Sequence, residues 1–598
     1  MAALVAVAVV VVIAAAVASV RPLLAAHRDL AEARGALQSA TSLDLATLAS
    51  RQGRAAAEQA ASSAAADAAA AQARLQGSWG LDVLGFVPWA SDQRDATVAL
   101  AADVRSGSTI ALGLLRAADR FEGQAQAPSE RGRIPVAGVA QLAGAATRAG
   151  TALRALERPP NLLLLPPLAH ARTQLDQVAA AAASKLSSTG RTLAALDRFL
   201  GAAGPQFDLV AVENNAEMRD QGIISSYATA TFAGGRIHLG PHGSVAQLLL
   251  HRPVPVPLPA GTRAYFGDLG PAQLWQSVNA TADFPLSGRL MVAMYAAATG
   301  RHVNGVIGID VPALADILGV TGPVRVPGLA TPLGAQNAVP VLLDQLYQRY
   351  PLGSQTPDRR AELSRVVRAV FSRLQAGGYD PVALGEALTR AVAGGHLQLY
   401  SAAPGLERVF ATQDLGGGPA RTLPSRTFHL AVENATATKL DYFVRPRVAM
   451  AVHLQPDGTA VITTTVSVVN TAPAGAQPSY QFGPQQYQAR AGQYLARVYF
   501  WSPAGSYQPH GLPESGLELA ERNVVANPAT TSTASFTTTL PHAVSGGHLV
   551  LRLVPQPRAF PMPLTLSLAG PGWRLQGPST TTTLAWDHTL NLVWAARR

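Results

Sequence analysis

The chain has 598 residues and no cysteine, is 48% hydrophobic and 14% charged, and carries a formal net charge of +10. The length calls for several domains, and the missing cysteines exclude a disulfide framework and any thiolate metal site. The basic residues are scattered, with no K/R-rich run, no zinc-ligand spacing and no alternation of basic and aromatic residues, so no nucleic-acid partner is expected. A pI near 10.1 suits proximity to anionic lipid or anionic wall polymer. Lys185 and Lys439 are the only lysines. An alanine- and arginine-rich, lysine-poor chain is what a GC-rich bacterial genome encodes.

Met1 to Val20 carries no charge, and Arg21 ends the run. At 1.5 Å per residue this is roughly 30 Å of helix, one bilayer core. We expect a retained transmembrane anchor over 1–21. A cleaved signal peptide would want a basic start, which is missing. The body is expected outside the cytoplasm, in a single-pass protein of the cell membrane, although Arg21 and Arg28 by themselves favour the reverse orientation.

A helical stalk or bundle is expected over 22–200. Leu23, Leu30 and Leu37 hold heptad spacing before the pattern loosens into alanine. Further helices fit 92–123, 136–157 and 166–200. An α/β core is expected over 201–426. DLVAVEN and Ile223 to Phe232 read as strands, and Gly234-Gly235 reads as a hairpin turn. The stretch 286–300 reads as a helix and 302–310 as a buried strand. Asp310 followed by Pro312 reads as a helix start. Helices fit 359–376 and 381–393, and HLQLYS (396–401) is one more strand. From 427 to 598 short alternating strands recur, with a Pro456-Asp457-Gly458 turn, and predict a β-sandwich. The fold class is thus α+β and multidomain.

The densest polar cluster is VENNAEMRDQG, with Glu213, Asn214, Asn215, Glu217, Arg219 and Asp220. We read it as a loop between two strands. Arg219 could donate bidentately to a phosphate, and Asp220 or Glu217 could hold Mg²⁺; the cluster could equally be a turn whose charges neutralise one another. Asp283 and Asp310 stand where helix caps are expected. No H-E-x-x-H, G-x-S-x-G or P-loop occurs.

NNAEMRDQGIISSY, then GGRI, then DFP at 283–285, NGVIGIDVPALADILGVTGPVRV at 304–326 and ATKLDYFVRPRV at 437–448 together resemble domain-of-unknown-function family 4012, membrane-anchored proteins of GC-rich Gram-positive and some other bacteria. Members usually carry a second glycine where this chain has Ile223. The core pattern is distantly similar to the LytR–CpsA–Psr phosphotransferases, which move glycopolymer from polyprenyl pyrophosphate to the cell wall. That resemblance implies a pocket lined by Arg219, Asp220, Arg236 and Asp283, beside the cluster's Glu217, with Mg²⁺ as cofactor. Those enzymes have an Arg-Asp pair where this chain has Arg236-Ile237-His238. The main expectation is therefore an envelope protein without a cofactor that binds wall glycopolymer or an envelope partner. A transferase is the alternative, and the sequence leaves open whether the protein is an enzyme.

Overall fold

A computed structural model describes residues 50–78, 82–83, 88–127, 132–156, 164–348, 357–419, 423–485, 487–507 and 511–598, with a few isolated positions before residue 50. The expected anchor over 1–21 and the leucine heptads lie outside the described residues. The chain divides into two compact units, one of 1–202 with 381–386, the other of 203–380 with 387–598.

Among the described residues the first unit has four long helices: α1 (Arg51–Gln76), α2 (Pro88–Ala125), α3 (Val136–Arg154) and α4 (Pro166–Phe199). Ser50 accepts the Gly53 N–H and so starts α1. Alanine fills much of the core between the helices, including Ala57, Ala61, Ala146 and Ala183. Small side chains let helices come close. A Cβ on Gly150 would sit 2.7 Å from Ser187 Oγ, and one on Gly190 would sit 2.4 Å from Thr147 Oγ1. Buried Arg54 bonds both Asp119 and Glu122 of α2. Among the described residues one helix, Ser91–Ala125, is long and apolar enough to cross a membrane. Half of its apolar window is buried within the protein, as is also true of a core helix in an alanine-rich bundle.

The second unit starts with a five-stranded mixed sheet, in the order β3-β2-β1-β4-β5. Its strands are β1 (Gln206–Met218), β2 (Gly222–Ala233), β3 (Arg236–Ser244), β4 (Gly305–Ile309) and β5 (Leu397–Ser401). Gly234 and Gly235 both take positive φ, 54° and 82°, as a tight hairpin requires. β1 and β4 are parallel; the other neighbours are antiparallel. The connecting helices are α5 (Ala260–Phe266), α6 (Phe284–Thr299), α7 (Val311–Thr321), α8 (Pro357–Ala376), α9 (Pro381–Ala393) and α10 (Pro404–Thr412). Leu286, Leu290 and Met294 of α6 share a core with Leu209, Ala211, Val306 and Tyr400 of the sheet. Gly300, at φ 69°, ends α6. α8 packs along β3.

The rest of the unit is β-rich, with strands β6 (Thr427–Asn434), β7 (Val444–Leu454), β8 (Ala460–Asn470), β9 (Tyr494–Ser502), β10 (Leu512–Glu514), β11 (Leu517–Ala526), β12 (Thr531–Leu540), β13 (Val544–Ser545), β14 (His548–Val554), β15 (Met562–Ala569), β16 (Arg574–Gln576), β17 (Thr581–Trp586) and β18 (Leu590–Arg597). They form one sheet ordered β10-β11-β9-β6-β14-β18-β16, with β13 beside β14, and a second ordered β12-β8-β7-β15-β17. Residues alternate between buried and exposed along β7, β8 and β15. Val448, Met450, Ile462 and Leu564 of the second sheet join Phe428, Leu430, Leu551 and Trp594 of the first in one apolar cluster.

Gly288 gives a test of the α6 packing. In an exposed helix, replacing glycine by alanine gains about 1 kcal/mol. Here the new Cβ would fall 2.3 Å from Cγ of Tyr400. Gly288→Ala is therefore expected to destabilise by about 1–3 kcal/mol through overpacking, read as a lower urea midpoint. A raised midpoint would show that α6 and β5 are not this close.

Candidate functional site

Four of the six residues of the polar cluster lie in a strand, and Arg219 and Asp220 in the turn that follows it. β1 runs unbroken from Gln206 to Met218 and carries Glu213, Asn214, Asn215 and Glu217 inside the strand. The pairing with β2 shifts register between Val212 and Glu213 and again between Asn214 and Met218, so the strand bends where the polar residues begin. Period-2 reading missed this because nearly every residue from Asp208 to Met218 is buried, whichever way it points. The turn back into β2 passes close to the strand it leaves: a Cβ on Gly222 would lie 2.5 Å from the Asn214 carbonyl carbon. Only glycine fits there.

Glu217, Arg219 and Asp220 each find a partner far along the chain. Glu217 accepts from Lys439 Nζ at 2.6 Å, with both side chains almost fully enclosed. Burial by itself would push the Lys439 ammonium down, but the Glu217 carboxylate more than reverses this and holds it above the usual lysine value. Asp220 bonds His429 Nε2 at 2.6 Å through one oxygen and accepts from Gln221 through the other. His429 Nδ1 faces the Val554 carbonyl at 2.9 Å. Burial alone would lower this histidine, yet the Asp220 charge and hydrogen bond leave it raised. With a carboxylate on one nitrogen and a carbonyl on the other, both nitrogens are placed to donate.

Arg219 is half-buried. Its Nη1 donates to the carbonyls of Asn434 at 2.7 Å and Met218 at 3.2 Å, and its own carbonyl accepts from Gln556 at 2.7 Å. The Met218 N–H donates to Asp441 Oδ2 at 3.1 Å. Asp441 also accepts from Asn434, Tyr494 and Arg558. Asn215 donates to Asp310 Oδ2 at 2.8 Å and to the Pro557 carbonyl at 3.1 Å. Asp310 caps α7 by accepting the Ala313 N–H at 3.0 Å, as expected, and also bonds His396 Nδ1 at 2.6 Å.

The five candidates taken from the sequence are thus not brought together. Glu217, Arg219 and Asp220 stand together at the buried end of β1. Asp283 precedes α6, half-buried, and its side chain makes no cap bond to that helix. Arg236 is the first residue of β3 and is exposed. It pairs with Ala233 at the far end of β2, roughly 35 Å of strand from Gly222.

Mg²⁺ does not fit Glu217 and Asp220 as they stand. A divalent ion would have to displace Lys439 from one carboxylate and His429 from the other. Among the described residues no group of three or more His, Cys, Asp or Glu side chains is placed to hold a metal ion.

Sequence reasoning missed Lys439, Asp441 and Arg558. A signal for the first was present: of 47 lysines and arginines only two are lysines, and a compact ammonium fits an enclosed carboxylate where a guanidinium fork would not. Glu213 is fully buried, and one of its oxygens has no partner. Burial, reinforced by the Asp310 charge, raises its carboxyl well above the usual range. Glu433 on β6 is raised in the same way, again mainly by burial.

Residues 203–347 match the family model described as "Protein of unknown function (DUF4012)". The matched segment runs from just before β1 to beyond α7, ending at Tyr347, and includes the polar strand. No curated protein and no solved structure matches the chain.

Two predictions follow from the buried pairs. Lys439→Met leaves the Glu217 carboxylate enclosed without its counter-charge and is expected to cost about 3–5 kcal/mol. Adding Glu217→Gln should recover part of that loss in chemical denaturation. A double variant no more stable than the single would refute the pairing.

The second concerns pH. His396 and His429 have raised values in the fold, so their stabilisation is intact below the unfolded histidine value of about 6.5 and is lost as pH rises through the folded values. Burial pushes Asp208 up to about 7. Like Glu213 and Glu433, it keeps a proton that the unfolded chain releases above about pH 4, which also costs stability as pH rises. Tm should therefore fall between about pH 5 and pH 8.5, and Asp208→Asn should remove the part lost below about pH 7. A Tm that rises across this range would contradict the assignment.

Proposed function

We propose that the protein is a non-catalytic component of the bacterial cell envelope that binds wall glycopolymer or an envelope partner. The apolar run Met1–Val20 serves as a single membrane anchor, and the body lies outside the cytoplasm. The observation that carries this reading is the commitment of the polar cluster. Glu217, Asp220, Asp310 and Asp441 all bond buried cations or amides within the unit. Such a network stiffens a body, and these four groups are not free to act as acid or base on a substrate. The net charge of +10 suits anionic envelope polymers.

The alternative is a transferase moving glycopolymer from polyprenyl pyrophosphate to the wall, on a LytR–CpsA–Psr-like core. It needs Arg219, Arg236 and Asp283 to line one cavity beside an apolar channel. Arg219 and Arg236 stand at opposite ends of β2, which weighs against it.

Co-sedimentation of the full-length protein with purified bacterial cell walls tests the binding reading. The protein should pellet with intact walls and remain in solution with walls stripped of their covalently attached glycopolymer. Failure to pellet with either would overturn glycopolymer binding. Release of polyprenyl pyrophosphate during the incubation would favour the transferase.

A further inference from the structure

Glu433 stands between two arginines and bonds neither. It lies on β6, fully buried, and its Oε1 has no partner. Directly paired residues of an antiparallel sheet share a face, with Cβ atoms about 5 Å apart. Glu433 pairs in this way with Arg497 of β9. His429 pairs with Trp501, and their rings lie 4.9 Å apart. His429 and Glu433 are an even number of residues apart on one strand and so point the same way. That way is toward the β1–β2 turn, which sets Asp220 on His429. Arg219 stands in the same turn and reaches β6 at the carbonyl of Asn434, next to Glu433.

Neither arginine takes the carboxyl group at hand. Arg497 turns outward to the exposed Asp268, at 2.8 Å. Arg219 uses only Nη1, on two carbonyls. Its Nε is buried without a partner. Among the described residues its Nη2 makes no hydrogen bond, and Arg219 joins no ion pair. Nε and Nη2 form one edge of the guanidinium, and such an edge grips a two-oxygen anion. Burial raises the Glu433 carboxyl well above the usual range. Arg219 and Arg497 pull it the other way without winning, and Asp220 and Glu521 add to the rise. A carboxyl that keeps its proton is a donor. A buried acid and a free guanidinium edge therefore lie side by side, both with a proton to give and no acceptor.

We propose that Arg219 and Glu433 together bind the carboxylate of an acidic sugar in an envelope glycopolymer. This rests on the envelope-binding reading and names the chemical group recognised and the residues that hold it. The two carboxylate oxygens take the Nε–H and Nη2–H of Arg219, and the Glu433 O–H bonds one of them. Both unpartnered groups are then used, and one negative charge answers Arg219. A phosphate dianion would bring a second charge toward Asp220. Arg219 is half-buried and Arg497 reaches solvent, so the site is within reach from outside. Its rim continues with exposed Asn523, paired with Arg497, and Glu521, paired with Tyr499. Amide and carboxylate side chains of this kind bond sugar hydroxyls.

The test titrates the full-length protein, in neutral detergent, with D-glucuronate and follows it by ligand-observed NMR. D-Glucuronate should bind, and D-glucose, the same ring without the carboxylate, should not. Arg219→Lys keeps the charge but loses the fork and should weaken binding at least about tenfold. Glu433→Met removes the donor where the fold gives it no partner and should also cost about tenfold. Glu433→Gln keeps an N–H and should recover part of that loss. No recovery would mean that the group accepts instead of donating, and equal binding of D-glucose would remove the carboxylate; either result overturns the proposal. So would no binding of D-glucuronate, or binding unchanged in both Arg219→Lys and Glu433→Met, which would leave the position to water. An unchanged wall pellet would then keep the envelope reading. Displacement of D-glucuronate at lower concentration by N-acetyl-D-alanyl-D-alanine or by inorganic phosphate would reassign the site to a peptide carboxylate or a phosphate and defeat the sugar proposal.

Discussion

Much of the second unit depends on one requirement: a strand that carries four polar residues into the interior must have each of them either bonded or, like Glu213, pushed towards its uncharged form. β1 enters the mixed sheet as an apolar strand and leaves it as VENNAEM. An unanswered buried carboxylate costs several kcal/mol, so the end of β1 is stable only where cations and amides already wait. Lys439 answers Glu217, Tyr347 answers Asn214, and Asp310 and the Pro557 carbonyl answer Asn215, with Lys439 and Pro557 coming from beyond the mixed sheet. The mixed sheet and the β-rich strands therefore form one compact unit. Asp441 shows the economy of the arrangement. One carboxylate accepts the Met218 N–H from β1, the Asn434 amide from the end of β6, the Tyr494 hydroxyl from β9 and the Arg558 guanidinium.

The tetrapeptide AVEN occurs at 211–214 and again at 431–434, and the structure uses it the same way twice. In both copies the glutamate is fully buried, has one unpartnered oxygen and is pushed well above the usual carboxylate range by burial. In both the asparagine side chain accepts the backbone N–H two residues on, at Ala216 in one and Thr436 in the other. That local bond satisfies a donor where the pairing with the neighbouring strand breaks, within β1 in one copy and at the end of β6 in the other. The two strands belong to different sheets, so the shared feature is a device for interrupting a buried strand's pairing and says nothing about catalysis.

What the sequence made legible follows from the range of the interaction concerned. The helices over 136–154, 166–199 and 357–376 are set by local propensity and by Pro, Gly and Asp at their ends, and these could be read directly. So could the Gly234-Gly235 hairpin and the Asp310 cap. The alternation in β7, β8 and β15 was legible because one face is dry and the other wet. The polar cluster was misread as a loop because polarity normally marks exposure. Here it marks long-range pairing: Glu217 meets Lys439 and Asp220 meets His429, each more than 200 residues away in sequence. No local rule reaches that far, although both partners lie on or beside the segments that carried the family resemblance.

The same distinction separates the candidate residues by what they can do. A charge sealed against its opposite contributes to stability and little to recognition, because a ligand would have to replace a contact that is already short and desolvated. Glu217 and Asp220 are of that kind. Arg236 was grouped with them by order in the sequence, but it stands in solvent at the start of β3. Solvent screens such a charge, so it adds almost nothing to folding.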